Sequence, residues 1–233
     1  MVAGWIAVRH MRRTSHPLIQ FEALRARTFA IVIWGGSLFR IAISVSPFLL
    51  PLMFQVAFGM SAFQSGLLVL AMFAGNLSMK TVTTPVLRRF GFRTVLLVNG
   101  VITAGLIFCF SFVGPDTPKA LLVALLFGHG LSRSMQFTSI NTLAFVDIPK
   151  RSLSSASSFF AVVQQLSMGM GVAVGAVTLR LAAWIDGEQS SLPTTPDFHL
   201  AFALVSIIAV LAILDCITLE RHAGAEVSGR GAA

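Results

Sequence analysis

Long stretches of this chain carry no charged side chain at all. No Asp, Glu, Lys or Arg occurs between Arg40 and Lys80, from Thr94 to Pro115, or from Ser152 to Leu179. The hydrocarbon core of a bilayer is about 30 Å thick, and a helix of about 20 apolar residues spans it. Uncharged stretches of this length cannot all be buried in a soluble domain of 233 residues. The sequence therefore predicts an all-α membrane protein.

The amino-acid composition supports a membrane protein and argues against a nucleic-acid partner. Charged residues make up 11% of the chain, whereas soluble domains contain about 25%. The net charge of +8 is typical of membrane proteins whose cytoplasmic loops are basic. Because no basic patch with interleaved aromatic residues lies outside the apolar segments, we expect no binding of nucleic acid.

Six apolar segments separated by short breaks are predicted to form six transmembrane helices. Their approximate bounds are 29–57, 62–84, 92–112, 118–141, 154–182 and 198–219. Gly, Pro and charged residues fill the breaks, as they do in turns between helices. We expect three regions: a basic cytoplasmic segment at 1–28, the helix bundle at 29–219, and a cytoplasmic tail at 220–233.

The charges of the connecting loops alternate along the chain. The N-terminal segment, the region 80–93, the loop 147–152 and the tail contain several Lys or Arg residues. The intervening loops contain one such residue or none. The positive-inside rule therefore predicts that both termini lie in the cytoplasm, which is consistent with six crossings.

Polar residues follow one face of the first predicted helix. Arg40, Ser44, Pro47, Pro51 and Gln55 are spaced three or four residues apart, which places them on one stripe. One interpretation is a face that lines a cavity, with the prolines permitting the helix to bend. The other is a packed interface in which the first of these residues, the arginine, snorkels to the cytoplasmic surface. The sequence leaves both open.

The fourth predicted helix is unusually polar for a membrane span. It contains Arg133, Gln136 and Asn141, and His129 lies one turn before the arginine. An arginine at membrane depth indicates a partner carboxylate or an anionic group on a substrate. Asp215 is the only acid inside a predicted span, and it lies near the cytoplasmic end. We expect the histidine to be a hydrogen-bonded core residue, not a proton relay.

The fifth predicted helix combines small residues with two amides. Gly171 and Gly175 form a G-x-x-x-G pair that allows two helix backbones to approach closely, and we assign them to helix packing. Packing alone explains Gln164 and Gln165 less well. Two neighbouring amides at mid-span are expected to contact substrate or water.

Several kinds of catalytic and cofactor site are missing from the sequence. There is no G-x-x-x-x-G-K-[ST] phosphate loop, no G-x-S-x-G nucleophile motif, and no Cys/His cluster with the spacing of metal ligands. We therefore predict no enzyme activity, no catalytic residues, no cofactor and no metal.

One loop resembles a motif of the major facilitator superfamily. The stretch Pro85-Val-Leu-Arg-Arg-Phe-Gly-Phe-Arg93 lies between the second and third predicted helices. It is similar to the cytoplasmic loop motif G-x-x-x-D-R-x-G-R-[KR], with Arg89, Gly91 and Arg93 matching. Arg88 stands where the family has Asp, which puts in doubt the latch that this Asp normally makes.

Four longer stretches resemble the fourteen-helix drug:proton antiporter branch of that superfamily. They are residues 16–29, 51–67, 133–145 and 164–175. The resemblance implies the last six helices of such a transporter, arranged as two inverted three-helix repeats in a bacterial cytoplasmic membrane. It also implies proton-coupled efflux of drugs or other small amphiphilic molecules. The expected substrate-cavity contacts are Arg40, Gln55, Arg133, Gln136, Asn141, Gln164 and Gln165.

A transporter of this kind needs a second bundle opposite the first. Residues 5–13 resemble the end of a preceding helix, and the first-half signature G-x-x-x-G-P-x-x-G-G is absent. We therefore expect a C-terminal fragment that arises from a truncated gene, a split gene with a partner chain, or a misplaced start codon. The coupling carboxylate is then expected in the other half. The alternative is a membrane module that does not transport, or a subunit that requires a partner half.

Overall fold

The structure is a computed structural model that describes residues 27–185, 192–217 and 219. The helices are α1 (Arg27–Leu52), α2 (Ala62–Phe90), α3 (Phe92–Cys109), α4 (Lys119–Leu143), α5 (Leu153–Ile185) and α6 (Thr195–Ile217). A π-helical turn, Met53–Ala57, continues α1, and 3-10 turns occur at Phe110–Phe112 and Lys150–Ser152. The expected cytoplasmic tail and nearly all of the basic segment lie outside the described residues.

The predicted charged loop after the second helix is shorter than expected. Helix α2 continues to Phe90, so that Arg88 and Arg89 form part of its last turn. The break is Gly91 alone, whose φ of 79° is a conformation that glycine adopts without steric cost. Basic side chains stabilise the C-terminal end of a helix, which explains why the two arginines extend α2. Arg93 already belongs to α3.

Five of the six described helices are long and apolar enough to cross a membrane, and α4 is the exception. With 25 residues, α4 is about 37 Å long, which is enough to span the hydrocarbon core. Its polar residues lower its hydropathy below that of its neighbours. Many of those residues are buried against other helices, and a polar helix is tolerated in a membrane when protein covers its polar face.

The helix contacts have the symmetry of a duplicated unit. The most extensive contacts are between α2 and α4, α1 and α5, and α3 and α6. If α1, α2 and α3 are exchanged with α4, α5 and α6 in that order, the α1–α5 pair becomes the α4–α2 pair. The α3–α6 pair is unchanged. Because three crossings separate equivalent helices, the two repeats have opposite orientations in the membrane. The bundle therefore consists of two inverted three-helix repeats.

Glycines bring α2 and α4 into direct backbone contact. A Cβ atom on Gly75 would lie 2.1 Å from the carbonyl oxygen of Phe127, and one on Gly130 would lie 1.9 Å from that of Met72. No side chain fits at either position. The sequence contained a signal for this contact, since Ala71 and Gly75 form a small-x-x-x-small pair.

Glycines also shape the contact between α5 and α1. A Cβ atom on Gly171 would lie 2.6 Å from Cβ of Ser44 and 2.7 Å from the carbonyl oxygen of Ile41. A Cβ atom on Gly175 would lie 3.0 Å from Cγ1 of Val45. The two glycines thus lie in the interface where α5 packs along α1.

The outer surface of the bundle is apolar. Phe63 and Leu77 on α2, and Val177 and Trp184 on α5, are among the exposed large hydrophobic side chains. Helices α2 and α5 are also the least buried of the candidate spans. An apolar surface around helices whose backbone groups are internally bonded is suited to a lipid bilayer, so the chain is an integral membrane protein.

Candidate functional site

Arg40 lies at the point where α1, α4 and α5 meet. Its side chain is 1% exposed. Its Nη2 donates a hydrogen bond to Oδ1 of Asn141 on α4 over 3.3 Å. The centre of its guanidinium group lies 4.6 Å from the ring centroid of Phe160 on α5, a cation–π contact. Since the guanidinium group is buried, the interpretation that this arginine snorkels to the membrane surface is wrong.

The guanidinium group of Arg40 uses few of its hydrogen-bonding groups. Arginine carries five N–H donors, yet Nε and Nη1 have no hydrogen-bond partner among the described residues. No described carboxylate pairs with it. Substitution of Gly36 is also restricted here, because a Cβ atom would lie 3.2 Å from Nη1 of the arginine. Arg40 is therefore a buried cation with one amide and one aromatic ring as its described polar and π contacts.

Gln55, at the other end of the α1 stripe, lies far from this cluster. It is exposed, and its Nε2 donates to the carbonyl oxygen of Pro51 over 3.2 Å and to Oγ of Ser65 over 3.4 Å. Fifteen residues of helix separate it from Arg40, which is about 22 Å along the axis. It lies in the π-helical turn Met53–Ala57, and such turns occur frequently at functional sites.

Gln136 faces α3 and is fully buried. Its Oε1 accepts a hydrogen bond of 2.8 Å from Nδ2 of Asn99, and its Nε2 donates to the carbonyl oxygen of Leu96 over 3.3 Å. The hydroxyl of Ser132 donates to Oδ1 of Asn99 over 3.1 Å and also bonds the hydroxyl of Thr103. This network joins α3 to α4, and none of its hydrogen bonds involves Arg40, Asn141 or Phe160.

Sequence reasoning did not identify the α3 residues of this network. Asn99 is the only amide in the apolar segment 92–112, and that isolation was the available signal. A single amide in a membrane span requires a hydrogen-bond partner on a neighbouring helix.

The other predicted contacts occupy different environments. Arg133 on α4 is half-buried, and no hydrogen bond or ion pair connects it to another described residue. The side chain of Asp215, the one acid in a predicted span, lies outside the described residues. On α5, Gln164 is half-buried one turn beyond Phe160, whereas Gln165 is exposed. Of the two neighbouring amides, Gln164 is thus the one beside the Arg40 cluster.

His129 is a core residue without the expected hydrogen bond. It is fully buried, and its ring packs edge-on against Phe110 with 5.5 Å between centroids. Neither ring nitrogen has a hydrogen-bond partner among the described residues. The prediction of a core position is confirmed. The prediction of a hydrogen bond is wrong for the described residues, among which the ring of Phe110 is its aromatic neighbour.

The cluster around Arg40 therefore consists of one buried guanidinium, an aromatic ring and amides from two helices. Groups of these kinds form hydrogen bonds and cation–π contacts. Among the described residues, no group of three His, Cys, Asp or Glu side chains could hold a metal ion. A membrane bundle of two inverted three-helix repeats with polar groups between its helices has the architecture of one half of a secondary transporter.

Comparison with known proteins identifies the family. Residues 7–172 match the model of the Major Facilitator Superfamily. This chain belongs to that superfamily. The match covers more than half of the chain and includes α1 to α4 and most of α5.

Curated relatives of this chain are described as transport and resistance proteins. It is 29% identical over 215 residues to the "Probable transport protein HsrA" of Haemophilus influenzae, with 92% of this chain and 46% of that protein covered. It is 32% identical over 206 residues to the "Putative multidrug resistance protein MdtD" of Serratia proteamaculans, with 87% and 42% covered. It is 31% identical over 232 residues to the protein of the same description from Escherichia coli O157:H7, with 99% and 49% covered.

The chain spans about half the length of the curated relatives that it matches. The first of these descriptions is of a transport protein and the other two are of multidrug resistance proteins. The matched half corresponds in size to the six-helix bundle that the structure contains.

Proposed function

We propose that this chain is the C-terminal half of a secondary active transporter that exports drugs or other small amphiphilic molecules in exchange for protons. The names of the relatives support a role in multidrug resistance. The inverted-repeat bundle supports transport by alternating access, in which this bundle rocks against a second one. The loop charges support a position in the bacterial inner membrane with both termini in the cytoplasm.

The observation that carries this proposal is the buried guanidinium of Arg40, whose Nε and Nη1 have no hydrogen-bond partner in the described part of the chain. A charge at membrane depth costs at least ~2.5 kcal/mol on insertion scales. One hydrogen bond to Asn141 and one cation–π contact do not satisfy an arginine. A substrate, a water chain or a residue of the second bundle that contacts Arg40 during the transport cycle would use the remaining N–H groups.

Four residues are proposed as contacts in the cavity: Arg40, Asn141, Gln164 and Arg133. The last three are half-buried, so a small movement of α4 or α5 would expose them. Gln136 and Gln165 are not included, because the first bonds α3 and the second faces outward. Gln55 is proposed to act separately, at the opposite end of α1. Because no carboxylate is described near this set, the proton-coupling acid is assigned to the second bundle.

Complementation tests the proposal directly. The chain would be co-expressed with the first half of the Serratia proteamaculans relative in a strain that lacks its own efflux pumps, and dye export would be measured. Export that a protonophore abolishes, together with co-purification of the two halves, is the expected result. The Arg133→Ala variant should assemble equally well but export less dye.

A second candidate is a membrane module that does not transport by itself. The observation that favours it is that the chain covers only 42–49% of these relatives. Co-purification of the two halves without any dye export would support this second candidate. Export by the chain alone, after reconstitution in liposomes with an imposed pH gradient, would eliminate it.

A further inference from the structure

Two arginines lie in the middle of membrane-spanning helices. Arg40 and Arg133 belong to α1 and α4, the first helix of each three-helix repeat, and each lies ten or more residues from either end of its helix. The first is buried and the second is half-buried. A charge at this depth pairs with an opposite charge or faces a polar pathway. The location of the acids therefore decides what these two cations bind.

The acids whose side chains the structure describes lie at the ends of the bundle. Asp147 accepts a hydrogen bond from the hydroxyl of Thr28, which lies about 18 Å along α1 from the buried arginine. At the opposite end, Oδ2 of Asp197 accepts from the backbone N and the hydroxyl of Thr194 over 2.7 Å and 2.9 Å. Asp116 is exposed in the turn between α3 and α4. None of these described carboxylates pairs with either arginine.

The guanidinium group of Arg40 retains one complete hydrogen-bonding edge. A guanidinium presents five N–H donors in a rigid planar fork. Nη2 carries two of these hydrogens, and the bond to Asn141 uses one of them. Nε and Nη1 have no hydrogen-bond partner among the described residues. The second hydrogen of Nη2 and one hydrogen of the nitrogen beside it therefore form a pair of parallel donors, which matches the two oxygens of a carboxylate.

This edge discriminates between planar groups of the same shape. A carboxamide offers one acceptor and places an N–H group against the second donor. An amidinium offers donors only, and its positive charge is repelled by Arg40 and Arg133. Of the three groups, only the carboxylate accepts from both donors and also neutralises the buried charge.

We infer that the site selects amphiphiles that carry an acidic group such as a carboxylate. The inference rests on the proposed function, because it names the class of substrate that the same cavity takes. The carboxylate binds the free edge of Arg40, whose face is covered by the ring of Phe160, and Arg133 adds a second positive charge. Because Arg40 is 1% exposed, access requires the movement of α4 or α5 that the transport cycle provides.

Three matched probes test the sign of the preferred charge. At neutral pH 4-heptylbenzoate, 4-heptylbenzamide and 4-heptylbenzamidine are an anion, a neutral molecule and a cation with the same ring and alkyl chain. Equilibrium dialysis would measure their binding to the full chain in lipid nanodiscs, alone and co-purified with the first half of the Serratia proteamaculans relative. Empty nanodiscs correct for partition into lipid. We expect the benzoate to bind about 10-fold more tightly than the benzamide, the usual gain from a charge-assisted hydrogen bond, and the benzamidine not to bind.

Four variants assign this preference to the two arginines. Arg40→Met should abolish the preference for the benzoate over the benzamide. Arg40→Lys, which keeps the charge but lacks the parallel donors, and Arg133→Gln should each reduce it. Lys119→Gln removes an equal charge from the exposed first residue of α4 and should leave it unchanged. The thermal stability of each variant shows that it is folded.

Export of the same probes by the co-purified halves separates this inference from the proposed function. A binding preference for the benzoate without export of any probe would support the charge assignment and contradict the transport role. Export of the benzamidine at the rate of the benzoate or faster would support transport and overturn the charge assignment.

Three binding results would also overturn the inference. The first is equal binding of the benzoate and the benzamide by the unmodified chain, both alone and with the second half. The second is an unchanged preference in Arg40→Met. The third is a preference that the chain shows alone and loses when the second half is present, because a group of that half would then occupy the guanidinium edge.

Discussion

Arg40 of α1 donates a hydrogen bond of 3.3 Å to Oδ1 of Asn141 on α4. These two helices are the first of each three-helix repeat, so the bond joins the repeats at equivalent elements. The same guanidinium lies over the ring of Phe160 on α5. A rearrangement of either repeat that separates α1 from α4 would break this bond. The guanidinium group would then lose its described hydrogen bond.

Removing the charge of Arg40 should abolish dye export without lowering the thermal stability of the chain. Replacing a buried ion pair by apolar residues of similar volume is often neutral or stabilising by ~1–4 kcal/mol. A buried guanidinium without a described counter-ion has no ion-pair energy to lose, so the same direction is expected for Arg40. We expect Arg40→Met to unfold at the same temperature as the unmodified chain or a higher one, and to lose dye export in the complemented transporter. Thermal unfolding in detergent and the dye export assay would measure the two effects.

Arg40→Lys is the matched control for this prediction. Lysine keeps the charge but lacks the planar guanidinium that stacks on Phe160, so partial export is expected. If Arg40→Met unfolds at a lower temperature and still exports dye at the normal rate, Arg40 has a structural role and the proposed site is wrong.

The two neighbouring glutamines of α5 should differ in importance. Gln164 is half-buried beside the Arg40 cluster, whereas Gln165 is exposed. Gln164→Ala is expected to reduce dye export by about 10-fold, which corresponds to one lost hydrogen bond of ~1.4 kcal/mol. Gln165→Ala should export dye normally. Equal effects of the two substitutions would contradict the assignment of the cavity face.

The backbone contact between α2 and α4 should not tolerate a methyl group. In Gly130→Ala the new Cβ would meet the carbonyl oxygen of Met72 at 1.9 Å. We expect the unfolding free energy in detergent to fall by ~1–3 kcal/mol, the usual cost of overpacking. Gly128→Ala, two residues away, is the control, since its nearest neighbour would be Leu106 at 3.8 Å. It should be neutral or stabilising; equal losses in both variants would refute the close crossing.

The α3–α4 network should contribute to stability but not directly to transport. Asn99→Leu leaves the buried Oε1 of Gln136 without its 2.8 Å donor, and an unsatisfied buried group costs ~1–3 kcal/mol. Gln136→Leu should cost a similar amount. The double variant should cost less than the sum, which a double-mutant cycle would measure. Strict additivity would show that the two amides do not interact.

The bounds of the helices were easier to predict from the sequence than the contacts between helices. With the π-helical turn Met53–Ala57 counted as part of α1, the predicted segments agree with the six helices to within three residues at every end but one. Runs of apolar residues and Gly or Pro breaks are local signals. The exception is the end of α2, where a helix continues through Arg88 and Arg89. There the charges were taken as a loop, although they also stabilise a helix terminus.

The candidate site was harder to predict, because the partners of a polar side chain belong to other helices. Helical spacing places Gln136 near Arg133 on α4, yet Gln136 bonds Asn99 on α3. Spacing also places Arg40 and Gln55 on one stripe, although about 22 Å of helix separates them. Residue type identified which side chains need partners, and only the packing of the bundle shows which partners they have.

The most direct test of the central claim is whether α4 crosses the membrane. Five described helices meet both the length and the hydropathy required of a span, whereas α4 is long enough but less hydrophobic. Single cysteines would be placed at Thr117 and Lys150, on either side of α4, in a chain whose Cys109 and Cys216 are replaced by serine. Labelling of intact cells with a membrane-impermeant maleimide should modify position 117 and leave position 150 unmodified until the cells are opened. Modification of both positions from the same side would contradict the six-helix transporter half.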